Sequence, residues 1–364
     1  MPETQAEPDR HGFSCGQCGA LLEFQPGAAS LVCQHCGGET PIPDSDEEIE
    51  ELDFHEWLAS LESEEETEEV LTVSCPSCGA ELERDPKLSS EACPFCATTI
   101  VAAGGSHKRI KPRSLLPFRV ERSKALELFR GWVSKLWFAP NDFKSRARLD
   151  TMLSGIYVPH WTYDAAVTTE YSGQRGTHYY VPVTSSTGKG TTTVMERRTS
   201  WSSVRGTVNN TFDDLLVRAS DSLPAKYMDR LEPWGLSDLV PFQSQYMSGF
   251  RAESYQIGLE EGFNEARKQM DRPIRDSIRS DIGGDEQRIQ SMRSKFNNIT
   301  FKHILLPVWI SAYRYRNKSF RFLVNARTGE VQGERPWSWM KISLTAAGVT
   351  AVLALTVTVF LLSQ

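Results

Sequence analysis

One cysteine pattern occurs twice in this chain. Cys15, Cys18, Cys33 and Cys36 read C-x-x-C, fourteen residues, C-x-x-C, and Cys75, Cys78, Cys93 and Cys96 repeat that spacing sixty residues later. These eight are all the cysteines in the sequence. A C-x-x-C on a tight turn aims two thiolates at one point, and two such knuckles close a tetrahedron around a metal ion. The copies also match at Ser14/Ser74, Gly19/Gly79, Ala20/Ala80, Leu22/Leu82, Glu23/Glu83, Pro26/Pro86 and Ser30/Ser90. A unit this small buries too little to fold alone, so bound metal would have to supply its stability, on the order of 10–16 kcal/mol per site. Disulfides and a redox pair are the alternatives. The N-terminus shows no secretory signal, and a redox motif needs no second C-x-x-C in this register. The expectation is two Zn2+ per chain, with His35 a surface residue beside a filled site.

Charge is unevenly spread. The net charge is -7, yet residues 44–70 hold fourteen Asp/Glu and no Lys or Arg, so the remainder is net basic. That stretch reads as a solvated linker. Within it Phe54, Trp57, Leu58 and Leu61 fall at helical spacing, a short amphipathic helix that docks on this protein or on a partner. At the other end, Ile342–Leu362 is twenty-one residues without charge or proline. As a helix it spans roughly 30 Å, the thickness of a bilayer's hydrocarbon. Trp337, Trp339, Arg335 and Lys341 flank it on one side. The reading is a tail-anchored protein, its bulk in the reducing cytosol.

Between these ends the chain reads as α+β. Val101–Arg113 has the composition of a basic linker. A helix is expected over Ser123–Phe138 with Ser123 as N-cap. Strands follow from Gly155, at His178–Val183, Thr191–Arg198 and Ser202–Val208. Helices are expected at Leu236–Leu239, Gln243–Met247, Ala252–Met270 and Arg275–Lys295, then strands at Thr300–Arg316 and Ser319–Asn325. "IYVPHW" (Ile156–Trp161) and "ILLPVW" (Ile304–Trp309) form a second repeat, echoed by "SLLPF" (Ser114–Phe118). They predict related strand entries around one antiparallel sheet with packed helices. The domain boundaries expected are 11–42 for the first ribbon, 43–70 for the linker, 71–103 for the second ribbon, 108–336 for the α+β domain and 342–362 for the span.

No catalytic pattern emerges, and the chain reads as a non-enzyme. Gly188-Lys189-Gly190-Thr191 lacks the glycine and hydroxyl of a phosphate loop, and no GxSxG, HExxH or GxGxxG is present. Gly283-Gly284 suits a tight loop or helix cap. His107, His160, His178 and His303 are scattered, and Asp213-Asp214 fits a strand end. Nucleic acid is disfavoured as a partner: neither ribbon is basic, and an acidic linker joins them. The basic run His107–Arg122 could face anionic lipid or simply be solvated.

The paired ribbons, "LWFAPNDF", "GIYVPHWTYDA", "FDDLLVRAS", "LEPWGLSDLVPF", "YQIGLEEGFNEA", the segment from Thr300 to Trp339 and a terminal span resemble a bacterial family of membrane-anchored double zinc-ribbon proteins. The resemblance covers nearly the whole chain. It implies protein partners at the membrane, since some relatives are encoded beside phage-shock and SPFH-type membrane proteins. Other relatives carry a primosomal or helicase-like label, which implies the competing role of a nucleic-acid-associated factor. This chain lacks the nucleotide-binding motifs such a label requires. Only the eight cysteines transfer as site residues. The favoured expectation is an adaptor that recruits proteins to the bilayer, with envelope stress as its setting. An enzyme built within the α+β domain is the third class.

Overall fold

The computed structural model describes residues 12–43, 45, 47–60, 67–83, 90–101, 105–143, 145, 153–187, 190–315 and 318–362. It is an α+β fold organised on three long strands, β1 (Ser154–Thr187), β2 (Gly190–Arg218) and β3 (Glu286–Tyr315), with β4 (Lys318–Asn325) returning beside β3. β1 lies between β2 and β3, antiparallel to both. The helices longer than one turn are α1 (Phe54–Ser60), α2 (Arg122–Lys135), α3 (Leu259–Ile282) and α4 (Trp339–Leu362).

The two proline–tryptophan segments lie against each other. Val158 pairs with Leu306, Tyr157 with Pro307 and Pro159 with Leu305, so a local two-fold axis passes through the Val158–Leu306 pair. Proline brings no amide hydrogen to a ladder, and both prolines sit where none is needed. Each lies just past the end of a neighbouring strand, whose last pairs are His160–Arg218 and Val308–Asn325. There the Pro159 carbonyl accepts from the Ala219 amide and the Pro307 carbonyl from the Ala326 amide, both at 3.1 Å.

The repeat extends well beyond these six residues. Ser114–Leu115 pairs in parallel with Ile304–Leu305, and Arg251–Ala252 pairs in parallel with Ile156–Tyr157. Each short strand leads into a helix, α2 or α3. The Trp309 indole donates to the Val120 carbonyl two residues before α2, at 2.8 Å. The Trp161 indole donates to the Ile257 carbonyl two residues before α3, at 2.9 Å. Phe118 packs on Trp309 and Tyr255 on Trp161 with near-equal centroid distances of 5.1 and 5.2 Å. The domain is therefore an internal duplication, Ser114–Ala219 and Arg251–Ala326, with each half lending its short strand to the other. "SLLPF" is not a third copy of the proline–tryptophan entry; its structural counterpart is Arg251–Tyr255.

Two helix expectations are corrected. Ala252–Met270 and Arg275–Lys295 are replaced by the single helix α3, with Pro273 inside it. The buried residues Phe263, Ala266, Met270, Ile274, Ile278 and Ile282 continue one face through the proline. Pro273 and Gln269, whose carbonyl loses its helical donor, both face water. From Glu286 the chain is strand. Ile289, Met292, Phe296 and Ile299 follow a helical 3-4-3 spacing only because β3 is bulged. Register shifts fall between Ser172/Gly173 and Asp164/Ala166, the second opposite Asn298 at φ +48°. Each extra residue returns the next apolar side chain to the α3 face.

Smaller departures follow from pairing. Leu236–Asp238 and Ser244–Met247 are 3-10 turns. The α2 N-cap is Glu121, whose carboxylate accepts from the Ser123 hydroxyl. Gly105–Ile110, expected as linker, is a strand paired with Thr67–Thr72. Leu52–Asp53 pairs with Thr300–Phe301, and Asp53 caps α1 by accepting from the His55 and Glu56 amides. Phe54 and Trp57 are buried, so α1 docks within the molecule; Leu61 lies outside the described residues.

Close helix–sheet contact depends on Gly262. A Cβ there would stand 2.5 Å from the Tyr163 hydroxyl and 2.8 Å from Trp161 Cδ1. Both rings are fixed by hydrogen bonds, to the carbonyls of Leu259 and Ile257. Alanine would gain about 1 kcal/mol of helix propensity but overpack the site by about 1–3 kcal/mol. Gly262→Ala is expected to lower the melting temperature of the detergent-solubilised protein; a raised one would contradict this packing.

Candidate metal centres

In each four-cysteine unit the turns that carry the sulfurs are alike. The amides of Gly19, Gly37, Gly79 and Ala97 donate to the carbonyls of Cys15, Cys33, Cys75 and Cys93, at 2.8–2.9 Å. Each donor residue has positive φ, from 59° to 74°. Glycine meets that demand without strain at three of the four turns, and Ala97 carries it at the fourth. In the first unit Leu22–Phe24 pairs with Ser30–Cys33 and links the two turns; in the second, Thr72–Ser74 against Glu81–Glu83 frames one turn and Ser90–Ala92 against Thr99–Val101 frames the other.

The sulfurs converge as the spacing requires. Within each group the four Sγ atoms lie within 4.8 Å of one another. Cys15–Cys36 and Cys18–Cys33 stand 3.6 and 3.5 Å apart, and Cys75–Cys96 and Cys78–Cys93 stand 3.5 and 3.7 Å apart. A disulfide needs about 2.05 Å. A tetrahedron with metal–sulfur bonds of about 2.3 Å has edges of about 3.8 Å. None of the eight cysteines is joined in a disulfide. The donor set therefore fits a metal ion held by four thiolates and is consistent with Zn2+. His35 is exposed and outside the cluster.

Local chemistry favours the thiolate. Amides of Cys36 and His35 pull the Cys33 thiol down to about 6. Contact with Cys93 brings Cys78 to about 5. Each group so offers one sulfur already ionised at neutral pH, the form that binds metal.

The two centres differ in burial. Cys75, Cys93 and Cys96 are buried, and Leu82, Phe95 and Ile100 pack with Ile156, Val158, Ile304 and Leu306 on one face of the β1–β3 pair. The Ser254 amide donates to the Glu81 carbonyl, and the Gln256 side chain donates to the Gly79 carbonyl. The first unit packs with α2, Phe118, Tyr157 and Trp309 on the opposite face, leaving Cys18 and Cys36 exposed. The Phe24 amide and the Leu22 carbonyl are tied to the carbonyl and hydroxyl of Ser248. Both units are thus parts of the domain core.

The other residues singled out in the sequence serve the fold. Burial holds His160 and His303 neutral, each down to about 4, with Nδ1 against the carbonyls of Val158 and Ile110. His178 bonds Glu286 at the sheet edge. The His107 side chain and the Gly188–Lys189 turn lie outside the described residues. Gly283 caps α3, and Gly284 turns the chain into β3, both at positive φ. Asp213 is exposed, whereas Asp214 meets Lys302 at 2.6 Å.

That last contact belongs to a cluster with no sequence signature. Lys302 also meets Glu51 at 3.0 Å, and Asp164 accepts from the Asp214 amide at the β2 bulge. Burial and then Glu51 push Asp164 up to about 6, while a hydrogen bond with Asp164 and the Lys302 charge hold Glu51 down to about 2. Lys302 is an isolated cation in an apolar run, the one hint the sequence offered. The acidic linker is thus pinned to the domain where it is described, rather than free.

Native mass spectrometry of the full chain should show two metal ions. A competing chelator should remove the ion at Cys15/Cys18/Cys33/Cys36 first, because two of its sulfurs face solvent. Cys18→Ser should lose one ion and leave the fold. Cys93→Ser should lose one ion and lower the melting temperature far more. Equal effects of the two variants would contradict the difference in burial.

No protein-family model and no solved structure matches the chain. It is similar to the uncharacterized protein YdjG of Bacillus subtilis (strain 168), with 27% identity over 339 residues, 93% of each chain.

Proposed function

We propose that this is a membrane-anchored, zinc-stapled adaptor whose domain faces the cytosol and holds other proteins at the bilayer. The anchor rests on α4, a helix of twenty-four residues whose most apolar eighteen have a mean hydropathy of 2.2, none of that window being buried. Its threonines bond back to the helix: Thr345, Thr350 and Thr358 reach carbonyls four residues earlier, and Thr356 reaches Leu353. This removes most of their cost in hydrocarbon. Arg335 and Lys341 on the domain side favour a cytosolic orientation, and a reducing compartment suits eight thiolates.

The observation that carries the adaptor reading is the β1–β2 hairpin. Beyond the Gly176–Glu286 pair, β3 stops and the hairpin continues through Thr187 as two strands. Eleven further residues project it by about 36 Å. Its flanks expose Tyr179, Tyr180, Val183, Val194 and Met195. Exposed apolar groups gathered on one projection mark an interaction surface. The ribbons supply rigidity to the domain, and the hairpin supplies the contact.

A second reading has its own support. The sheet face turned away from α3 carries Arg205, Arg288, Arg293 and Lys295, all exposed, with Arg288 stacked 3.8 Å over Trp201. Cations interleaved with an aromatic ring suit a nucleic-acid backbone. Gel shifts of the full chain across a salt series separate the two. The adaptor reading expects no salt-dependent binding of DNA or RNA.

Two experiments test the first reading. The full chain should resist alkaline carbonate extraction, and deletion from Ile342 onward should release it. In pull-downs from solubilised membranes, Tyr180→Asp combined with Val194→Asp should lose partners that the wild type retains, with metal content and membrane insertion unchanged. Identical partner sets would remove the hairpin from the account.

A further inference from the structure

Three exposed tryptophans gather at one end of the domain, and only two come from the stretch leading into α4. Trp137 belongs to the loop after α2, some two hundred residues earlier in the chain. It is 72% exposed, beside Trp337 at 52% and Trp339 at 78%. Met340, at 73%, adds to the patch. A tryptophan this open on a packed domain is unusual, since the ring normally buries most of its area.

The loop is fastened to the base of α4. Lys341 Nζ donates to the carbonyls of Trp137 and Ala139 and to the Asn141 side chain, at 3.2, 2.8 and 2.7 Å. The Ser338 amide donates to the Phe138 carbonyl at 2.8 Å. Phe138 and Trp337 rings lie 6.3 Å apart, and the Arg335 guanidinium stacks 4.5 Å over Trp337. These contacts place Trp137 level with the first turn of α4, one turn before the uncharged run begins at Ile342. Tryptophan at that level has one favourable environment, the boundary between headgroups and acyl chains. Arg335 and Lys341 beside the tryptophans match the negative surface of a bilayer containing anionic lipid.

We infer that the Leu136–Asn141 loop is a second membrane contact, with Trp137 inserted at the lipid interface beside the span. The inference rests on reading Trp339–Leu362 as a membrane helix. It adds that the domain sits on the bilayer in a fixed pose, with the loop and the span as two feet, rather than swinging on a tether. A fixed pose would also fix the direction in which the β1–β2 hairpin projects.

Photocrosslinking in the full chain tests this. Benzoylphenylalanine is introduced in turn at Trp137, Leu353 and Tyr180, and each protein is reconstituted in phosphatidylethanolamine–phosphatidylglycerol nanodiscs carrying an alkyne-tagged phospholipid. Tyr180 sets the background. Lipid adducts at both 353 and 137, above the level at 180, are expected. Adducts at 353 with 137 at background would overturn the loop contact and leave the span intact. Background at 353 would remove the span, and the inference with it. A second measurement covers poor folding of the crosslinker protein. Bromine-labelled acyl chains should quench wild-type fluorescence more than that of Trp137→Phe, and equal quenching would overturn the inference.

Discussion

The antiparallel pairing of β1 with β3, centred on Val158 and Leu306, organises the rest of the molecule. Ile156, Val158, Ile304 and Leu306 on one face take the second four-cysteine unit; Tyr157, Leu305 and Trp309 on the other take the first unit and α2. Further along, Trp161, Tyr163 and Phe301 receive α1 and α3. A slip of one residue would exchange the two faces and misplace every layer at once. The prolines help to fix the register, because each fits only where a neighbouring strand has ended.

The cysteine units and the terminal helix were fully legible, since metal geometry and bilayer thickness impose strict spacings on residue type. The α+β class and the amphipathic α1 followed from periodicity. The duplication was only half legible. "IYVPHW" and "ILLPVW" share letters, but Ser114–Val120 and Arg251–Ile257 share only backbone pairing, a carbonyl offered to a tryptophan and one aromatic ring packed on it. Such equivalence leaves almost no trace in side-chain identity. The region from Glu286 to Ile299 misled because two bulges give a strand the apolar spacing of a helix. The joining of two expected helices into α3 had a similar cause: Pro273 faces water, where a missing hydrogen bond costs little.

Charge reads differently once contacts are known. The linker's acidic residues argued for a solvated tether, and some of them serve the fold. Glu51 meets a nearly buried lysine, and Asp53 caps a helix. A lysine as buried as Lys302 requires such partners, so the linker's Glu51 joins the sheet's own Asp214 in neutralising it. The ribbons change as well. Sequence alone suggested two small metal-stabilised units joined by a solvated linker. Their hydrogen bonds to Ser248, Ser254 and Gln256 and their packing against the sheet make them structural members, and the hairpin and the foot of the span expose further apolar surface.

The central claim is that metal at the second cysteine unit holds the domain core together. Hydrogen exchange of the full chain in nanodiscs, with and without a chelator strong enough to strip both sites, tests it most directly. The account predicts that stripping abolishes protection along Arg251–Gln256 and Ile304–Ile310 together with Cys75–Cys96. Loss of protection confined to the cysteine turns, with the β1–β3 pair still closed, would contradict it.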